Sequence, residues 1–183
     1  MNSTFEILKG LPPYGKMYIP IPERNLSEGF PVEFTKDNGT KWIANFEVDK
    51  TSESSNFIAN LQESGEVIVI AKNVAYLIDR NKESPIITFK GYFEKIIEHE
   101  DFKILIGHEC MVVLKSSEKI EFYNDLNYAF TSDITFSNGI IEIVLFEYNL
   151  PIEQRKTIHS IELEKINFGN FKANNYYQSN KIE

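Results

Sequence analysis

FIANL at Phe57–Leu61, GEVIVIA at Gly65–Ala71, VAYLID at Val74–Asp79 and PIITF at Pro85–Phe89 are four short apolar runs separated by polar turns. The set recurs as FEKII (Phe93–Ile97), FKILIG (Phe102–Gly107), CMVVL (Cys110–Leu114) and KIEFY (Lys119–Tyr123). A third copy reads DITF (Asp133–Phe136), GIIEIVLF (Gly139–Phe146) and, after a polar break, TIHSIEL (Thr157–Leu163). Ile58, Ile96 and Ile134 stand in register, 38 residues apart each time. A period of about 40 residues with four short apolar runs per period is the pattern of β-meander units that stack to bury their faces, as propeller blades do. Continuously apolar runs such as Val67–Ala71 and Ile104–Ile106 suit strands buried on both faces. The expected fold is all-β: antiparallel β-meander repeats in a small four-bladed propeller-like domain. A β-sandwich is the alternative, because short strands with regular turns suit it too.

Working back from the repeats, residues 17–48 read as a fourth, degenerate copy. Ile19 lies 39 residues before Ile58, and Trp42–Glu47 falls where Val74–Asp79 falls. Lys36-Asp37-Asn38-Gly39-Thr40 joins two alternating runs with the Asn-Gly chemistry of a tight hairpin. Met17–Ile21, interrupted by Pro20 and bounded by Pro22, is at most a short edge strand. Residues 1–16, with Leu11-Pro12-Pro13-Tyr14-Gly15, read as an irregular strap. This degenerate copy lacks its fourth strand, and the aromatic tail at 167–183 (NFGNFKANNYYQ within it) is the candidate closing strand. One domain spans residues 1–183, with the three clear repeats at 57–163.

The formal net charge is -8. Residues 1–50 contribute -1, 51–100 contribute -3, 101–150 contribute -5 and the remainder +1, so the acidity centres on the second and third repeats. Such a field repels nucleic acid and anionic membrane and favours a basic protein partner. The first residues lack a basic stretch followed by an apolar one, and no apolar run approaches a membrane span, so a cytoplasmic protein is expected.

Chemistry-bearing residues are few. His99-Glu100-Asp101 and His108-Glu109-Cys110 bring metal-ligand types near one another, but the repeat register sets them at opposite ends of one strand. At strand rise that is roughly 25–30 Å, too far for one coordination sphere. Cys110 opens an apolar run and reads as a small hydrophobe, although His108 two positions away would share its face in a strand. Glu118, Glu121, Asp125 and Asp133 offer carboxylates without a pattern that separates an acid/base pair from turn residues. No GxSxG, Walker loop, GxGxxG or HExxH occurs. No catalytic residue, metal ligand or cofactor is assigned.

Two features point to binding. Tyr14 and Tyr18 beside the prolines of the strap can present rings to a partner. Glu98, Glu100, Asp101, Glu109, Glu118, Glu121 and Asp125 alternate between turns and strand ends, where neighbouring units bring turns side by side. The expected function is a protein-binding module with an acidic face, in a specific form an immunity-like protein that neutralises a basic partner. A hydrolase acting on a glycan or small ester at the mouths of the units and a self-assembling structural protein are the alternatives.

GLPPYGKM at Gly10–Met17, EGFPVEF at Glu28–Phe34 and NGTKWIANFE at Asn38–Glu47 resemble the opening of a family of uncharacterised bacterial proteins with a GLPPYG-x-M motif. In that family the motif precedes propeller-like repeats, and the resemblance covers the chain to about Phe146. It implies the fold and a bacterial source, and no functional residue is carried over from it.

Overall fold

Residues 4–12, 17–24, 28–48, 56–107, 110–123, 130–146, 156–166 and 168 are described by a computed structural model. Among them the regular secondary structure is β-strand, apart from one 3-10 turn at Leu163–Lys165. No helix among the described residues is long and apolar enough to cross a membrane.

The first sheet contains β1 (Phe5–Ile7), β2 (Tyr18–Ile21), β3 (Phe30–Thr35) and β4 (Lys41–Phe46), in the order β1-β3-β4-β2. Three meanders follow. The second sheet is β5 (Phe57–Asn60), β6 (Val67–Ala71), β7 (Val74–Ile78) and β8 (Pro85–Lys90). The third is β9 (Phe93–His99), β10 (Phe102–Gly107), β11 (Met111–Ser116) and β12 (Lys119–Tyr123). The fourth has three strands, β13 (Phe130–Ser137), β14 (Ile140–Phe146) and β15 (Lys156–Glu162). Each meander pairs its strands in chain order and antiparallel. Ile58, Ile96 and Ile134 occupy the first strand of successive sheets, opposite Val69, Leu105 and Ile143.

Turn residues explain why the chain reverses where it does. Gly39, Gly65 and Gly139 have φ of 83°, 70° and 73°, a region open to glycine at little cost. Lys72 and Asn73 both have positive φ, so Ala71 and Val74 are joined by a two-residue primed turn. That turn has no glycine to announce it.

Strand alternation places side chains on both faces, and both faces of the second and third sheets are buried. Val67, Val69, Ala71, Tyr76 and Ile78 pack on Val32, Phe34, Trp42, Ala44 and Phe46 of the first sheet. From the opposite face, Ile68, Ile70, Ala75, Leu77 and Phe89 meet Leu105, Val112, Leu114 and Ile120 of the third. Beyond them Phe102, Ile104, Ile106, Met111 and Val113 pack on Ile141 and Ile161 of the fourth. The fold is all-β, and its four sheets pack one on the next in chain order through these three clusters. Double-faced burial is why Val67–Ala71 and Phe102–Gly107 are buried at every position.

The amino-terminal copy departs from expectation in its strand order. Phe5–Ile7, read as part of an irregular strap, forms β1 and pairs antiparallel with β3. β2 does not take the first-strand position suggested by the Ile19–Ile58 spacing: it runs parallel to β4, with Ile19 opposite Ala44, and ends the far edge of the sheet. The first sheet therefore reaches four strands from residues 5–46 without the tail. Beyond Phe168 the tail lies outside the described residues. Phe168 itself stacks on Phe102, with ring centroids 6.1 Å apart.

Candidate functional site

Where the first and second sheets meet at their outer edges, an open cleft of 1120 Å³ runs along β2 and β8. Its walls follow from the local sequence. β2 is four residues long and carries Pro20, with Pro22 just beyond it, so it ends early against the six-residue β8. On the second sheet, Val74, Tyr76, Thr88 and Lys90 share the face that looks toward the first, and all four line the cleft. Tyr18, Pro20 and Pro22 contribute from β2 and the bend after it, and Pro85 and Tyr92 from the two ends of β8.

One rim of the cleft is held by charge. Glu47, its side chain 17% exposed, accepts from both Arg24 and Lys72, tying the segment after β2 to the end of β4 and to the β6–β7 turn. The Glu47 backbone N–H donates to the Ile21 carbonyl at 2.9 Å, which fixes the carboxylate beside the end of β2. Burial pushes the Tyr76 phenol up to about 12, with the Arg24 charge acting in the other direction. Tyr76 therefore presents a neutral hydroxyl at any ordinary pH.

Tyr92 stands out by conformation. It has φ of 48°, a left-handed backbone that costs an aromatic residue roughly 1 kcal/mol, and it is 70% exposed. Its neighbours enforce the geometry. A Cβ at Gly91 would run into Cys110 Sγ and the Phe93 ring, and one at Gly107 into the Gly91 carbonyl. The Cys110 thiol donates to the Gly91 carbonyl at 3.4 Å, and the Phe93 N–H donates to the Asn73 carbonyl at 2.9 Å. The bend is pinned from both sides, and it holds the Tyr92 ring at the mouth of the cleft.

The acidic residues lie elsewhere, on the third sheet. Glu98 on β9 faces Lys103 on β10 and bonds its ammonium at 2.9 Å. Asp101 lies 3.9 Å from Lys115, whose ammonium also sits 4.0 Å over the Phe102 ring. Glu100, with φ of 50°, occupies the β9–β10 turn, and Glu118 the β11–β12 turn, where its N–H donates to Ser116 Oγ at 3.3 Å. Antiparallel order brings these two turns to one end of the third sheet. Glu121 is half-buried on β12, and its Oε2 has no hydrogen-bond partner among the described residues. Burial, with a smaller contribution from the Glu121 charge, pushes the Tyr123 phenol up to about 12. Of the sequence-assigned contact residues, Tyr18 lines the cleft, while Tyr14, Glu109 and Asp125 lie outside the described residues.

Turns of neighbouring sheets do lie side by side at that end, and they are cross-linked by opposite charges. Asp37 meets Arg80, Lys36 meets Glu83 at 2.7 Å, and Lys119 meets Glu63. The Ser117 N–H donates to Glu66 Oε2 at 2.8 Å, and the Trp42 indole to the Arg80 carbonyl at 2.8 Å. These contacts spend much of the acidity on holding one sheet to the next.

His99 ends β9 beside Phe102, while Cys110 lies near Gly107 at the other end of β10, and His108 is outside the described residues. Cys110 is buried in the core between the second and third sheets. Among the described residues no group of three or more His, Cys, Asp or Glu is placed to hold a metal ion.

The sequence reading missed Arg24, Glu47, Lys72, Tyr76 and Tyr92. Only Tyr92 carried a signal, as the large residue after Gly91 between two strand runs. Neither a protein-family model, nor a curated protein, nor a solved structure matches the chain.

Proposed function

We propose that this protein is a protein-binding module that holds an extended segment of its partner in the cleft between β2 and β8. The observation that carries the reading is Tyr92, a ring 70% exposed at the cleft mouth on a left-handed backbone. Three tyrosines and three prolines along one open groove supply rigid, amphipathic contact area at little entropic cost. A groove between two edge strands also suits an extended chain better than a compact ligand. The cleft carboxylate Glu47 is bound by two cations, an arrangement that supports shape and charge at a contact surface.

The test is selection of short displayed peptides against the whole protein, followed by affinity measurement with the Tyr92→Ala and Tyr18→Ala variants. Enriched peptides that lose most of their affinity to both variants are expected. Failure to enrich any peptide, or enriched peptides indifferent to both substitutions, contradicts the reading.

A further inference from the structure

The second and third sheets have four strands each, and the fourth has three among the described residues. Among the described residues no strand lies beyond β15 in that sheet. Three of the other sheet edges are blunted. β2 contains Pro20, β8 begins with Pro85, and β1 is three residues long. β15 has seven residues and no proline, so none of the backbone N–H groups that alternate away from β14 is missing for a further ladder.

The face of this sheet away from the third carries exposed residues among the described ones. Ile158 is 56% exposed there, beside exposed Ser160, Glu162 and Glu142, with Ile140 and Val144 half-buried. An exposed isoleucine in the centre of an open edge strand is the feature that native sheets ordinarily avoid.

The sequence of β15, Lys-Thr-Ile-His-Ser-Ile-Glu, is self-complementary when read against itself in the antiparallel sense. A two-fold axis perpendicular to the sheet requires paired residues of the same face, so the registers allowed are those centred on a residue. Centring on His159 is the register that uses all seven residues. It sets Lys156 opposite Glu162 at both ends, Thr157 opposite Ile161, and Ile158 opposite Ser160. Opposite charges directly across a strand pair are favourable, and like charges are unfavourable. Glu162 already meets Lys165 of its own chain at 2.6 Å, but that exposed pair is a weak competitor.

We infer that β15 pairs with β15 of a second copy, making one continuous six-stranded sheet across a two-fold axis centred on His159. The pairing completes the edge that the fourth sheet lacks and shields Ile158 beside Ser160 of its mate. It is independent of the cleft, none of whose lining residues belongs to the fourth sheet.

Sedimentation of the full chain across a micromolar concentration series tests this, with Lys156→Glu, Glu162→Lys and the double exchange. Circular dichroism checks that each is folded. The wild type is expected to dimerise, each single exchange to weaken the dimer on the order of tenfold by setting like charges opposite each other, and the double exchange to restore it. A wild type that stays monomeric throughout the series overturns the inference. So does a dimer indifferent to the exchanges, or one that the double exchange weakens further. A chain that dimerises only after residues 169–183 are removed also overturns it, since the edge is then filled by its own tail.

Discussion

The Lys103 ammonium, on a side chain only 2% exposed, is bonded at 2.9 Å to the Glu98 carboxylate, which is itself 60% exposed. A buried cation is thus compensated from the surface. Its partner keeps most of its hydration, so the pair avoids the double desolvation that makes fully buried ion pairs costly.

From this pair a stability asymmetry follows. Glu98→Gln removes the compensating charge and is expected to cost about 1–3 kcal/mol, while Lys103→Met removes the buried charge itself and is expected to be neutral or stabilising. Urea unfolding of both variants checks the prediction. Equal losses would show that Lys103 acts through packing alone.

Alkaline stability follows from two tyrosines. Burial raises the phenols of Tyr76 and Tyr123 to about 12, above the ordinary 10.0. The folded protein then binds more protons than the unfolded chain between the two values, so these groups contribute stability that is complete below pH 10 and lost as pH rises toward 12. Tyr76→Phe and Tyr123→Phe are each expected to flatten that decline, measured as the unfolding midpoint against pH. An unchanged slope in both would contradict the assignment.

Gly139 isolates a backbone effect. It has φ of 73° and no atom within 4 Å of where a Cβ would stand, so Gly139→Ala meets conformational cost without a clash. A loss of about 1 kcal/mol is expected, with Gly139→Asn losing less because Asn tolerates the left-handed region. Gly91 is the opposite case: its Cβ would strike Cys110 Sγ and the Phe93 ring, and Gly91→Ala should cost more than Gly139→Ala. Thermal unfolding of the two variants side by side reads the difference.

Cys110, 6% exposed against Gly91 and Gly107, is expected to resist a thiol reagent in the folded protein and to react in denaturant. Rapid labelling of the native protein would contradict that packing.

The repeats were legible because strands buried on both faces leave long apolar runs, and these recur with the isoleucines at positions 58, 96 and 134. The amino-terminal sheet was less so. Phe5–Ile7 is too short for a pattern of period two to emerge, and the parallel pairing of Ile19 with Ala44 is a long-range choice that spacing does not encode. Acidic residues were visible as a set, but their partners were not. Lys103 reads as a polar interruption in FKILIG, and only the antiparallel register shows that it faces Glu98. The cleft escaped for a similar reason. Arg24, Glu47 and Lys72 lie far apart in the chain, and Tyr92 is marked by its φ rather than its neighbours.

Backbone hydrogen exchange of the protein with and without a selected peptide tests the binding account most directly. The account predicts added protection in residues 18–24 and 85–92, along β2 and β8 and the bends that carry Arg24 and Tyr92. Protection confined to residues 98–121 of the third sheet would move the contact to the acidic end and contradict it.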